Sequence, residues 1–347
     1  MNTTLSFQKV TAEEWPRISA SFHDLTYEQT LTYAQAAAQR IGATTDFITL
    51  SDQAGHLTAA ACLRVKRVPG LGRGIAWIAA GPMMHHREQP EIDQDRLDAT
   101  FAALRAYARK TGHILRLRLP ALPFHDVPVI DRSAASAGFH PTDRSRPYRT
   151  VIIDCDQDEE ILLKAQHGKW RNHLRKALKS DLSLESAPIS EASGRFHKLY
   201  QQVQAAKGFE QPDIPPEFYY PLQGADFSHE VLFAQKDGVD IAGMTIGRTG
   251  NFAVYLFGAT TDVGRRCNAG HYLMWESILR HRTQGIKWYD LDGIDPDINP
   301  TVTEFKQRTG GTDLLAAGPY EYRPAGLGSA LIGTAETLHS RLKKARQ

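Results

Sequence analysis

Several groups of residues have the types and spacing to do chemistry. Six lysines and arginines fall within residues 164–179 with no acid among them, after residues 154–160 with five acids. At helical spacing Trp170, Leu174, Ala177 and Leu178 share one face, and Lys169, Arg175, Lys176 and Lys179 take much of the rest. Such a helix is either a solvated face or a phosphate contact through Arg171 and Arg175, and on RNA its binding would fall with salt. The acidic stretch ahead of it suits the helix macrodipole. Asp290 and Asp292 stand two apart at the end of a strand-like run, so both carboxylates share a face where one of them can accept a proton. A turn or capping role is the alternative. Cys62, Cys155 and Cys267 are odd in number, far apart and in no CxxC pair. The fourteen histidines show no HExxH spacing, and the one close pair, His85-His86, follows Gly81-Pro82 in a predicted loop, so no metal site is expected.

The elements that position these groups belong to an ordinary globular composition: 347 residues, 41% hydrophobic, 23% charged, net charge +2. That length predicts two domains. The near-zero charge excludes a global polybasic surface while leaving room for a local patch. No apolar run reaches membrane-spanning length, and residues 1–10 lack a basic region followed by an apolar one. No stable membrane insertion and a cytoplasmic location are therefore expected.

Periodicity predicts a helix over 27–41 stopped by Gly42, strands over 46–50, 58–65 and 74–80, a helix over 97–110 stopped by Gly112, and a strand over 113–119. The same order returns. A helix to Gly208 precedes strands over 231–236, 241–247 and 252–257, and a helix over 272–284, stopped by Gly285, enters a strand over 286–291. Gly55 corresponds to Gly238 and Gly112 to Gly285, so the repeat is domain-sized. The fold class expected is α+β, two copies of one domain with mixed, mainly antiparallel sheets. The boundaries expected are residues 1–153 for the first domain, 154–182 for an interdomain helical segment and 183–328 for the second domain. Residues 329–347 are expected to form a helix packed on the second domain through Leu331, Leu338 and Leu342.

This order of elements resembles the acyltransferase fold of the GNAT (acyl-CoA N-acyltransferase) superfamily. The resemblance implies a coenzyme A pyrophosphate cradle of type (Gln/Arg)-x-x-Gly-x-(Gly/Ala) at the start of the second long helix. Here that loop reads Arg265-Arg266-Cys-Asn-Ala-Gly-His271, with Ala269 and His271 in place of its small residues.

Further strings carry a closer resemblance. They are Tyr272-Leu-Met-Trp-Glu-Ser-Ile-Leu, Gly285-Ile-Lys-Trp-Tyr-Asp-Leu-Asp-Gly293-Ile, Thr303-Glu-Phe-Lys-Gln-Arg-Thr-Gly-Gly311, the basic helix Lys169–Ala177 and Tyr255-Leu-Phe-Gly-Ala-Thr. Together they resemble the FemABX aminoacyl-tRNA-dependent peptidyltransferases in a compact form without the coiled-coil arm. Thr309 stands where that family usually has an aromatic, and Lys207 where an arginine commonly stands, which removes a bidentate fork.

The resemblance implies transfer of an amino acid from aminoacyl-tRNA, as co-substrate, to an amine of a peptide or amino-acid acceptor. By default that acceptor is a nucleotide- or lipid-linked muropeptide, and no cofactor is required. It implies Lys306 as a cation for the developing oxyanion or a clamp on an acceptor phosphate, and Asp290 or Asp292 as proton acceptor. Lys207, Tyr219, Tyr220, Tyr255, Phe305, Arg171 and Arg175 become candidate substrate contacts. An acyl-CoA N-acyltransferase with Arg265 and Arg266 on the donor phosphates, and a non-catalytic tRNA- or peptide-binding protein, are the alternatives.

Overall fold

The computed structural model describes residues 4–208 and 212–344. They form two compact units, one from the chain up to Pro147 together with the segment from Leu315 onward, the other from Tyr148–Leu314. The first runs β1 (Ser6–Val10), α1 (Trp15–Ser19), α2 (Leu31–Arg40), β2 (Thr44–Ser51), β3 (Leu57–Arg67), β4 (Gly74–Ile78), α3 (Gln94–Thr111), β5 (Ile114–Leu117), α4 (Val127–Ser136) and β6 (His140–Pro141). The second follows with β7 (Arg149–Asp154), α5 (Glu159–Ala165), α6 (Gly168–Ala177), β8 (Ser183–Pro188), α7 (Ile189–Lys207), α8 (Pro216–Tyr219), β9 (Ser228–Lys236), β10 (Val239–Thr249), β11 (Phe252–Thr260), α9 (Asp262–Arg266), α10 (Ala269–Thr283), β12 (Trp288–Gly293), α11 (Pro300–Gln307) and β13 (Thr312–Leu315). Finally β14 (Tyr320–Tyr322) and α12 (Leu327–Lys344) return to the first unit.

The duplication is visible strand by strand. One sheet has the order β1-β2-β3-β4-β5-β14-β6, and the other, read from the matching end, β8-β9-β10-β11-β12-β7-β13. In each, the fourth and fifth strands run parallel, β4 with β5 and β11 with β12. Each sheet is covered on both faces, so its strands read as long buried runs rather than clean alternations. Phe101 and Leu104 of α3 pack with Ile48 and Leu50 on one face of the first sheet, and Ala34 of α2 packs with Phe47 on the other. In the second, Leu273 and Ile278 of α10 cover Leu232, and Phe196 and Leu199 of α7 cover Phe233. Gly112 and Gly285 end the matching helices α3 and α10 with positive φ, the conformation that glycine adopts without a Cβ clash.

The expected boundaries shift. The sixth strand of each sheet comes from chain outside its own expected domain: β7 pairs with β12, and β14 with β5. The basic segment 154–182 is no linker, because α6 packs on α10 through Trp170 and Leu174 inside the second unit. The last helix packs on the first unit, not the second. Glu336 of α12 forms a forked ion pair with Arg116 of β5 at 2.6 and 2.8 Å. Among its described side chains Ile332 is the buried apolar one, whereas Leu331 and Leu338 face solvent at 56% and 58% exposure, and the Leu342 side chain lies outside the described residues. Leu178 is likewise exposed. The helix expected over 27–41 starts at Leu31, where the Thr30 hydroxyl accepts the Tyr33 N–H. Among the described residues, no helix is long and apolar enough to cross a membrane.

Candidate functional site

The second unit has a wedge at the carboxyl ends of its two parallel strands. β11 pairs with β12 through Phe252, Ala253 and Val254, opposite Trp288, Tyr289 and Asp290. β11 then continues to Thr260, but its register against β10 slips at Leu256, between the pairs Ile246–Tyr255 and Thr245–Phe257. A bulge of this kind bends a strand, and here it opens β11 away from β12 where Tyr255 and Asp292 stand.

Asp290 builds the far lip. Its Oδ1 accepts the Thr150 hydroxyl at 2.5 Å and the Asp292 N–H at 2.8 Å, and its Oδ2 accepts the Tyr148 hydroxyl at 3.0 Å. The bond to the N–H two residues on makes an Asx-turn, which holds Asp292 in the left-handed region at φ 62°. Burial pushes the Asp290 carboxyl up to about 6, against the hydrogen bond from Thr150. Asp290 is thus held in place by three hydrogen bonds, with one lone pair left on Oδ2. Asp292, half-buried like Asp290, stands 3.4 Å from the Tyr148 hydroxyl, so its carboxylate is the more lightly held of the two.

Lys306 reaches the same place from α11. Its side chain is buried, with Nζ donating to the carbonyls of Asp292 at 3.3 Å and Gly293 at 3.0 Å and standing 5.5 Å from the Tyr255 ring centre. Burial lowers the ammonium pKa, while the Asp292 and Asp290 carboxylates hold it up. The glycines after it serve close approach. A Cβ on Gly310 would meet the Ala165 carbonyl carbon at 2.8 Å, and one on Gly311 the Ile152 oxygen at 2.7 Å. Thr309, the departure from the aromatic, donates to the Lys306 carbonyl at 2.6 Å and caps α11.

Tyr255 is brought to Lys306 and Asp292. Burial raises its hydroxyl pKa, with Asp292 and Tyr200 adding to the rise. Its hydroxyl lies over Gly258, where a Cβ would collide with it. Tyr219 is core, packed on Phe257 at 5.5 Å. Tyr220 is half-buried, 3.5 Å from His197 Nδ1, with burial raising its hydroxyl pKa. Lys207 ends α7, largely exposed, and partial desolvation followed by the Arg265 charge lowers its pKa.

The candidates for phosphate binding divide. Arg171 is committed to the end of α5, donating to the Lys164 and Gln166 carbonyls at 2.7 and 2.5 Å. Arg175 is exposed and touches Asn172 at 3.2 Å. Arg265 is ion-paired with Asp262 and donates to the Thr260 carbonyl, and Arg266 is exposed beside it on α9. The start of α10, where a GNAT pyrophosphate would sit, is overlaid by α6. His173 Nδ1 lies 2.7 Å from Asn268 Oδ1, and its ring stacks on His271 at 4.9 Å. Trp170 and Phe305 close around His271 at 5.0 and 5.1 Å. Burial, aided by His173, takes the His271 imidazole down to about 4, so it is neutral. Phe305 therefore packs this overlay. The site residues not anticipated are Tyr148, Thr150, Tyr200, His173 and His271.

Comparison with known proteins bears on the fold and on one stretch of the sequence. The FemAB family model matches residues 222–336. No curated protein sequence matches the chain. Among solved structures, FemX superposes with a TM-score of 0.76 at 16% identity, covering 95% of this chain and 99% of that one. A conserved protein of unknown function from Bacteroides thetaiotaomicron gives 0.58 at 13% identity, covering 92% and 99%. L-PGS from Bacillus licheniformis gives 0.52 at 11%, covering 94% and 96%. At these identities the structural likeness is one of fold. The molecule is a tandem of two GNAT-like domains, as expected. The stretch that carries the wedge and its loop is the part that matches the FemAB family model, and the fold over nearly the whole chain is that of FemX.

Proposed function

We propose that the chain is an aminoacyltransferase whose reaction takes place in the wedge between β11 and β12. The observation that carries this reading is the meeting of Lys306, Asp292 and Tyr255 at that bend. An acceptor amine attacks the carbonyl carbon of an aminoacyl ester on tRNA, the new C–N bond forms and the ester C–O bond breaks. The amine proton goes to Asp292 and then to the departing ribose oxygen. Lys306 offsets the negative charge on the carbonyl oxygen, a role in which one donor contributes about 3 kcal/mol in related acyl transfers. Tyr255 fixes the carbonyl side of the site, and Tyr220, Lys207 and the exposed cations of α6 are the surfaces for acceptor and tRNA phosphates. The family points to a muropeptide acceptor and a cytoplasmic reaction.

The overlay of α6 on the α10 start favours tRNA over coenzyme A as donor, since side chains occupy the place of a pyrophosphate cradle. The test is product mass from purified chain given either charged tRNA or an acyl-CoA, with a panel of peptide amines. Product from charged tRNA is expected. Product from the thioester alone overturns the donor assignment, and binding of charged tRNA with no product from either favours the non-catalytic reading.

A further inference from the structure

The first unit carries a cluster at the carboxyl ends of β4 and β5 that the transfer reaction does not use. Asp24 lies between α1 and α2, His85 in the loop after β4 and His125 just before α4. One ligand atom from each lies within 4.8 Å of the other two. His85 Nδ1 is 2.6 Å from the Pro90 carbonyl oxygen, and His125 Nδ1 is 3.1 Å from that of Pro120. A carbonyl oxygen only accepts, so each ring carries a proton on Nδ1 and leaves Nε2 as a bare lone pair. Both Nε2 atoms are buried without a hydrogen-bond partner. Asp24 is fully buried, and its two oxygens accept the Met84 and His85 N–H groups at 2.8 and 3.1 Å and face its own N–H, which leaves a lone pair for a further partner.

Buried lone pairs without donors are costly, and here two of them converge with a carboxylate. His229 and His281 also bury a partnerless Nε2. Among the described residues, however, only Asp24, His85 and His125 gather three possible ligands. The backbone carbonyls on Nδ1 are the outer partners that orient metal-bound imidazoles. Phe124 lies against the His85 ring at 4.6 Å and the His125 ring at 5.5 Å, giving the pair an apolar cover.

We propose that Asp24, His85 and His125 bind a divalent first-row transition ion of the zinc class. Two imidazoles and one carboxylate suit such an ion better than magnesium or calcium, which prefer all-oxygen shells. Metal–ligand bonds of about 2.0–2.2 Å would draw the three donors closer together than 4.8 Å. Three protein ligands leave one tetrahedral position for water. The ion ties together three loops that are distant in sequence.

The test is calorimetric titration of the tag-free, chelator-stripped full chain with zinc chloride, with bound ions counted by native mass spectrometry and melting followed in parallel. The wild type is expected to bind one ion and to melt higher with zinc. His125→Ala is expected to weaken binding by about a hundredfold or more and to abolish the melting shift. His56→Ala, at an exposed histidine beside Asp52, is expected to keep both. Asp24 also holds two backbone N–H groups, so His85→Ala serves as the second independent variant. No uptake by the wild type, or His125→Ala binding as tightly as the wild type, overturns the proposal and leaves the three residues around an ordinary water.

Discussion

The two copies treat the ends of their parallel strands in opposite ways. In the first, β4 and β5 stay zipped beyond their named ends: the Arg118 N–H donates to the Ile78 carbonyl at 3.1 Å and the Gly81 N–H to the Arg118 carbonyl at 3.0 Å. Gln29 sutures the neighbouring strand, accepting the Cys62 N–H at 2.8 Å and donating to the Ala79 carbonyl at 2.5 Å. The buried guanidinium of Arg118 is matched by Glu28 at 2.6 Å. In the second copy a bulge parts β11 from β12, and the buried cation, Lys306, donates to the backbone carbonyls of Asp292 and Gly293 rather than to a dedicated carboxylate. One fold thus yields a sealed end and an open one. The difference lies in a single slipped residue and in whether the cation is already neutralised.

The largest expected effect is at the open end. Lys306→Met should lower single-turnover transfer by about a hundred- to a thousandfold, read by quenched-flow product mass. Asp292→Asn should follow at about a hundredfold, and Asp290→Asn should be milder, because Asn can still accept from Thr150 and from the Asp292 N–H. A larger loss at 290 than at 292 would show that Asp290, not Asp292, takes the proton. At the sealed end, Gln29→Ala should cost about 2 kcal/mol through unsatisfied backbone groups while leaving transfer by the folded protein within a few-fold. Urea unfolding alongside the assay checks both halves.

Asp290 gives a pH signature. Its folded pKa of about 6 lies above the ordinary carboxylate value, so the folded state binds its proton more tightly than the unfolded chain. That contribution to stability is present below about pH 4 and is lost as pH rises through about 6. Asp290→Asn should flatten this part of the stability profile, seen in melting temperatures from pH 4 to 7. The smallest expected effect is on RNA affinity. Arg175→Ala should reduce the salt dependence of tRNA binding by about one counterion, whereas Arg171→Ala should mainly lower stability, since its guanidinium caps α5.

The duplication was readable because glycine stops and strand-turn signals recur in order, and Lys306, Asp292 and Tyr255 were named on motif resemblance. What escaped the sequence was long-range. β7 and β14 are short strands that serve sheets outside their own stretch of chain, and no local pattern marks that. Arg116 and Arg118 alternate with Leu115, Leu117 and Leu119, a pattern that locally fits a half-exposed strand, but Glu321, Glu336 and Glu28, far away in sequence, bury them by pairing. The Arg171 role depended on the fold of α5 against α6. The Asp24, His85 and His125 group uses spacings of no known motif, so the absence of a histidine signature carried no information about it.

The most direct test of the difference between the two ends is the pair of single-turnover rates for Lys306→Met and Gln29→Ala, each measured with charged tRNA and a peptide amine under conditions where both variants are folded. The account predicts that Lys306→Met falls about a hundredfold or more while Gln29→Ala stays near the wild type. A Lys306→Met rate equal to the wild type, or a collapse of Gln29→Ala with the fold intact, would contradict it.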